Sequence, residues 1–277
     1  PWQELARREK MKVKYVRVKD DFTLDHDDFI EKLSERTALF SFVHVSNSLG
    51  TLNGASFLTK KAKEKNALVV LDAAQSITSE KIDVKEIGCD FLAFSGHKLF
   101  GPTGIGVLYG KYELLEKLKP FHFGGGMIED LDYEKASFTK IPERFEAGTP
   151  PIAQTVGLAK AIDYVDTIGI EKIGRWKKKL LDYALKNMPD YVETFVPPEK
   201  NRTGVLLFNV KGVHAHDTAH LLGMENICIR AGHHCTKPLI DKAGINAAAR
   251  ASFSIYNTYE DVDKLLKGLE KISKKFS

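Results

Sequence analysis

The sequence is poor in cysteine, has no long apolar run and carries little excess charge of either sign, and each shortage removes a class of protein. Cys89, Cys228 and Cys235 are its three cysteines. The number is odd and no Cys-x-x-Cys pair occurs, which argues against a disulfide framework of the secreted type. A reducing cytosol fits this usage and leaves any reactive thiol free. No stretch approaches the roughly twenty apolar residues of a membrane helix. The opening residues, PWQELARREK, are polar and charged, unlike a signal peptide. Lys and Arg number 41 against 37 Asp and Glu, a net charge of +4 that is too small to argue for nucleic acid. Neither Gly-x-Gly-x-x-Gly nor a Walker sequence is present, so nucleotide motifs do not compete. An initiator Met is lacking too; Pro1 opens what reads as a helix start.

What is present suits a folded α/β protein. Apolar residues make up 43% and charged residues 28% of 277, enough for one large domain or two smaller ones. The lysines of KKAKEK (60–65) and WKKKLLDY (176–183) read as solvated helix faces, with a modest basic patch for an acidic protein as the alternative. Strand-like runs at Thr37–Val45, Ala67–Leu71, Cys89–Phe94 and Ile105–Tyr109 alternate with helix-like segments such as Phe57–Asn66. That alternation predicts a mostly parallel sheet, and runs that are apolar throughout suit buried parallel strands. Gly124–Thr149 reads as loops around a hairpin, and Ile152–Ile168 and Ile170–Asn187 as helices. Beyond Pro197-Pro198, strands are expected at Gly204–Val210, Asn226–Ile229 and Ala251–Ile255, and helices at Ala215–Met224 and Glu260–Lys274. The second half therefore reads as a smaller α/β unit.

Chemically capable groups gather at predicted strand ends, where ligands of open α/β sheets bind. Asp72 directly follows ALVVL, and Gln75 lies three residues on; a helix cap is an equal reading for a lone Asp there. SGHK (95–98) offers a hydroxyl, an imidazole and an amine within four positions and runs into the glycine-rich GPTGIG. It reads either as a polar turn or as an imine-forming amine with phosphate ligands beside it. A desolvated or cation-flanked lysine has a lowered pKa and becomes nucleophilic. In RAGHHC (230–235), Cys235 neighbours two imidazoles and Arg230, surroundings that favour thiolate. Zinc is disfavoured, because adjacent side chains rarely converge on one tetrahedral ion and no second Cys/His pair is obvious. Arg250, just before a predicted strand, suits bidentate binding of a carboxylate, with a surface ion pair as the alternative.

VLDAAQ, FSGHKLFGPTGIGVLY, RFEAGTPP, IRAGHHC and RASFSIYNT occur in the order and approximate spacing of SufS-type (group II) cysteine desulfurases, and the whole chain resembles that family. These are pyridoxal-phosphate enzymes of fold type I, within the class V aminotransferase group. The resemblance implies a mostly parallel central sheet with helices on both faces plus a smaller C-terminal α/β domain. It divides the chain into a large cofactor-binding domain, 1–165, and a small domain, 166–277, carrying the nucleophilic cysteine. By motif, Lys98 resembles the Schiff-base lysine, Asp72 the partner of the pyridine nitrogen and Gln75 the partner of the phenolic oxygen. Ser95 and His97 resemble phosphate ligands, and Thr149 resembles a residue that reaches the partner subunit's phosphate. Asn47 resembles the asparagine beside the ring and substrate carboxylate. Arg250, with Arg230, resembles the substrate-binding arginines, and Cys235 the nucleophile that becomes a persulfide.

The implied activity converts L-cysteine to L-alanine, with Lys98 taking the α-proton and Cys235 the sulfur. The short stretch between Arg230 and Arg250 implies that an acceptor protein comes to the sulfur, a SufU-like or SufE-like partner or the SufBCD scaffold of iron-sulfur cluster assembly. A cytoplasmic homodimer without metal or membrane is expected. A selenocysteine lyase shares the lysine, carboxylate and cysteine and stays open, as does a non-catalytic fragment that binds the sulfur-transfer partner. The three chemical groups kept together argue against the fragment. In the family, a segment upstream of position 1 supplies a histidine stacked on the ring, a phosphate cup and early strands, on the order of a hundred residues. Without that segment the resemblance implies weak cofactor binding by this polypeptide, an exposed sheet edge and exposed apolar faces.

Overall fold

The computed structural model describes residues 1–276. In chain order the first part comprises α1 (Trp2–Arg8), α2 (His26–Lys32), β1 (Leu39–Val43), α3 (Ala55–Lys63), β2 (Leu68–Asp72), α4 (Val84–Ile87), β3 (Phe91–Ser95), β4 (Gly106–Gly110), α5 (Tyr112–Leu115), β5 (Ile128–Leu131), β6 (Ala136–Phe138) and α6 (Ile152–Ile168). The second part comprises α7 (Ile170–Lys186), β7 (Val192–Phe195), β8 (Val205–Val210), α8 (Ala215–Met224), β9 (Arg230–Gly232), α9 (Lys237–Lys242), β10 (Ala248–Ser252) and α10 (Tyr259–Phe276).

The first sheet has the order β1-β2-β3-β4, with the first three strands parallel and β4 antiparallel to β3. Each parallel step is made by a helical crossover. Asp83 caps α4 by accepting the backbone N–H groups of Lys85 and Glu86, and Gly88, at φ +75°, ends it. The core under this sheet joins Phe29, Phe42, Leu58, Val69, Leu71 and Leu92. Asp90, 2% exposed, ties its lower end together: it pairs with Lys63 and Lys111 and accepts the N–H of Val69 at 2.7 Å. Burial raises its pKa, but these hydrogen bonds outweigh burial and hold it below the ordinary carboxylate value.

The second sheet, β7-β8-β10-β9, is antiparallel throughout. Its centre, VLLFNV of β8, is buried at every position but Asn209. Amphipathic helices cover it. α7 buries Ile173, Leu180, Leu181 and Ala184, and α10 buries Val262, Leu265, Leu269 and Ile272, the spacing of a single helix face. Gly268 lets α10 close on α8, because a Cβ there would overlap Leu222. The two parts meet along α7. A Cβ at Gly174 would overlap the carbonyl oxygen of Ser79, and Lys177 donates to Thr78 Oγ1 at 2.9 Å. Leu99, Val165 and Ile173 form a further small core with Ile77 and Ile255 packed against it.

Two expected strands lie elsewhere. Asn226–Ile229 is not a strand: Asn226 turns left-handed at φ +60° after α8, and Ile227 N–H bonds back to Leu222 O. Ile227 and Ile229 satisfy their apolar character by packing on the core, while pairing begins at Arg230. The strand expected at Ala251–Ile255 is β10, Ala248–Ser252; Ser254–Asn257 forms a turn closed by Asn257 N–H to Ser254 O. Arg250 therefore sits inside β10, opposite Arg230 on β9, and not before a strand.

Candidate active site

The parallel strands end together, and their ends carry the chemistry. Asp72 closes β2, in register with Val43 on β1 and Ala93 on β3. Beyond β1 comes Asn47; beyond β2, Gln75; and Ser95, the last residue of β3, leads into a tight 3₁₀ turn, Gly96–Leu99, which holds His97 and Lys98. Hydrogen bonds Gly96 N–H to Ile105 O (2.9 Å) and Gly101 N–H to Gly96 O (3.0 Å) fix this turn. A Cβ at Gly101 would lie 2.9 Å from Gly96 O, so the approach needs glycine. Lys98 is half-buried.

The second sheet faces the same end. Arg250 Nη1 donates to the backbone oxygen of Asn47 at 2.6 Å, and Asn47 Nδ2 donates to the carbonyl of His234 at 2.8 Å. Cys235 is exposed, with its Sγ 3.7 Å from Arg230 Nη2. Burial, with Arg230 nearby, lowers the pKa of Arg250 from its ordinary value, and its Nε is buried without a partner. Nine of the ten candidate residues thus lie on two sets of strand ends and loops joined through Asn47. Thr149 is exposed in the loop before α6 and hydrogen-bonds to none of the others among the described residues.

The donor set fits a phosphorylated pyridine aldehyde. Among the described residues, the side chains of Gln75, Ser95, His97 and Lys98 have no hydrogen-bond partner, and Asp72 uses only Oδ1, to cap Ala74 N–H at 2.8 Å. An unpaired amine, a carboxylate with a free oxygen and unengaged hydroxyl, imidazole and amide groups at one edge are what an aldehyde, a pyridine nitrogen, a phosphate and a phenolic oxygen would each require. Concavity is a poor guide here. A cavity of about 320 Å³ lies nearby, lined by His44, Asn53, Glu80, Glu86 and Asn201 among others, and it includes none of the candidate residues.

Sequence reasoning missed the groups that hold the site. His44 and His234 are buried, at 7% and 2% exposure, and each has an Nδ1 without a partner. Burial lowers both pKa values to about 4, helped for His234 by the nearby arginines. Ser48 accepts from Thr236 Oγ1 at 3.1 Å, a second tie between the Asn47 loop and the cysteine loop. The only signal for these contacts was proximity to the motifs, in HVSNS and GHHCT.

Comparison with known proteins supplies the context. The chain is 44% identical to a cysteine desulfurase of Haloferax volcanii over 278 residues, covering 100% of this chain and 65% of that protein. It is 43% identical to a probable cysteine desulfurase of Halalkalibacterium halodurans, covering 100% of this chain and 68% of that one. The chain therefore spans about two thirds of the length of these curated relatives. The apo structure of a cysteine desulfurase from Thermococcus onnurineus superposes with a TM-score of 0.95 at 41% identity, covering 99% of this chain and 69% of that one. The cysteine desulfurase CsdA of Escherichia coli, solved as its S-sulfonic acid, gives 0.95 at 32% identity over 100% of this chain and 69% of its own. The fold is thus fold type I, a mostly parallel sheet with a smaller α/β unit. The aminotransferase class-V model matches residues 1–265, and this chain belongs to that family.

Proposed function

We propose that the protein is a pyridoxal-phosphate-dependent cysteine desulfurase of the SufS type, converting L-cysteine to L-alanine and collecting the sulfur on Cys235. The observation that carries this reading is an unpaired Lys98 amine in the turn after β3 and Asp72 at the end of the neighbouring parallel strand β2, with the Asn47 loop after β1 tied to the loop that holds Cys235. Relatives named as cysteine desulfurases support it.

When bound, pyridoxal phosphate supplies an acceptor for the electron pair released as a bond at the substrate α-carbon breaks. The chain's residues supply the rest. Lys98 would hold the aldehyde carbon of the cofactor, and its Nζ would serve as the base that moves the substrate α-proton. The free oxygen of Asp72 accepts the ring N–H and keeps that proton in place. Gln75 orients the phenolic oxygen, while Ser95 and His97 donate to the phosphate. Arg250 and Asn47 receive the substrate carboxylate, so their present contact gives way to it. Cys235, beside Arg230, attacks the substrate sulfur; the new S–S bond forms as the substrate Cβ–S bond breaks, and the carbon fragment leaves as alanine after protonation.

The same reading assigns 1–165 to a large domain and 166–277 to a small one, places Thr149 at the phosphate of a partner subunit in a homodimer, and passes the persulfide to an acceptor protein in iron-sulfur assembly. Purified protein given L-cysteine should release alanine and carry a persulfide on Cys235, and borohydride should fix cofactor to Lys98. Full desulfuration by Cys235→Ala, or an imine absorption band surviving in Lys98→Ala, would sink the proposal.

A further inference from the structure

Two consecutive non-glycine residues, His234 and Cys235, lie in the left-handed region, at φ +51° and +62°. Such residues are strained, and the conformation persists only where the surroundings over-determine it. The surroundings here can be named. His234 Nε2 lies 2.9 Å from the carbonyl oxygen of Ala248, the residue opposite Gly232 across β9 and β10. A carbonyl only accepts, so Nε2 carries the hydrogen, and it is burial that favours the neutral ring. From the other side, Asn47 Nδ2 holds the His234 carbonyl, and Thr236 closes the turn onto His233 O and Ser48 Oγ. The imidazole is 2% exposed, whereas the neighbouring thiol is exposed and 3.7 Å from Arg230 Nη2.

We propose that His234 is a positioning residue: its ring, anchored under β10, holds the backbone of residues 234–235 left-handed and so keeps the Cys235 sulfur beside Arg230. It touches neither substrate nor cofactor in this role. Without the anchor the backbone relaxes to an ordinary conformation and the sulfur leaves the guanidinium. The inference rests on Cys235 being the sulfur-accepting residue, but its geometry can be read without turnover.

The test is alkylation of Cys235 in the purified protein, in a Cys228→Ser background, comparing anionic iodoacetate with neutral iodoacetamide. A guanidinium beside the sulfur favours the anion. His234→Leu should lower the iodoacetate-to-iodoacetamide rate ratio roughly fivefold, the equivalent of the ~1 kcal/mol exchanged by two unit charges about 4 Å apart in water. Arg230→Gln should lower it equally, and the double variant no further. His234→Gln places an amide N–H where Nε2 was and should restore the ratio, whereas the shorter His234→Asn should not. An unchanged ratio in a folded His234→Leu protein overturns the proposal; should that variant fail to fold, equal ratios in the Gln and Asn variants overturn it. A lowered ratio in a protein that makes no alanine from cysteine would leave the positioning role standing and remove the desulfurase reading instead.

Discussion

The two sheets of this molecule differ in how completely the chain covers them. The second is closed: β8 is buried almost throughout, and α7, α8 and α10 cover it with Leu180, Leu222, Leu265 and Leu269, each at most 3% exposed. The first presents apolar side chains to solvent, Leu108 on β4 at 61% and Ile152 and Val156 on α6 at 64% and 66%, while the β5–β6 hairpin adds Leu131 at 65%. The unit that carries Cys235 thus covers its sheet more completely than the unit that carries Lys98.

That contrast can be broken most sharply by truncation. Phe208→Ala, in the closed sheet, should cost about 3–5 kcal/mol, whereas Leu108→Ala should stay within about 0.5 kcal/mol of the parent protein. Denaturant unfolding that gives the two similar losses would erase the distinction. Acid probes both units at once, since His44 belongs to the first and His234 to the second. Each has a folded pKa near 4, below its ordinary value of 6.5, so the unfolded chain binds more protons between those limits. Stability should be whole above pH 6.5 and fall as pH drops through 4, by up to roughly 3 kcal/mol per histidine. Urea midpoints across that window should flatten when either histidine is replaced by Gln. Asp90→Ala leaves two lysines and a backbone N–H without their partner and should cost about 3 kcal/mol, read in the same melts. A smaller loss than at Phe208, the histidines or Asp90 is expected at the seam. Thr78→Val removes the hydroxyl that Lys177 donates to, at about 1 kcal/mol. Burial has already lowered Lys177 to about 8, opposed in part by Glu80, so the loss should shrink as pH rises past 8.

How much could be read from the residues follows the same division. The parallel strands were legible because LVVLD and FLAFS are short apolar runs ending in polar chemistry, and α6 and α8 match their expected bounds because apolar spacing marks them. Strand positions failed near Arg230 and Arg250. There the strands are RAG and AARAS, residues of low strand propensity; AARAS is held by pairing with β8, and RAG by pairing with AARAS. β7, VETF, was missed because four residues with mixed polarity give no pattern. In the site, the candidate lysine, carboxylate and cysteine were visible as motifs. The ties among Asn47, His234, Ser48 and Thr236 join residues 187–188 positions apart, a separation that no local pattern reports.

Gly174 sets how near the two units can sit. Because α7 rides directly against the Ser79 carbonyl, this position has no room for even a methyl group. An alanine there would act as a wedge under the helix, tilting the whole thiol-bearing body away from the lysine-bearing one while leaving every reactive group intact.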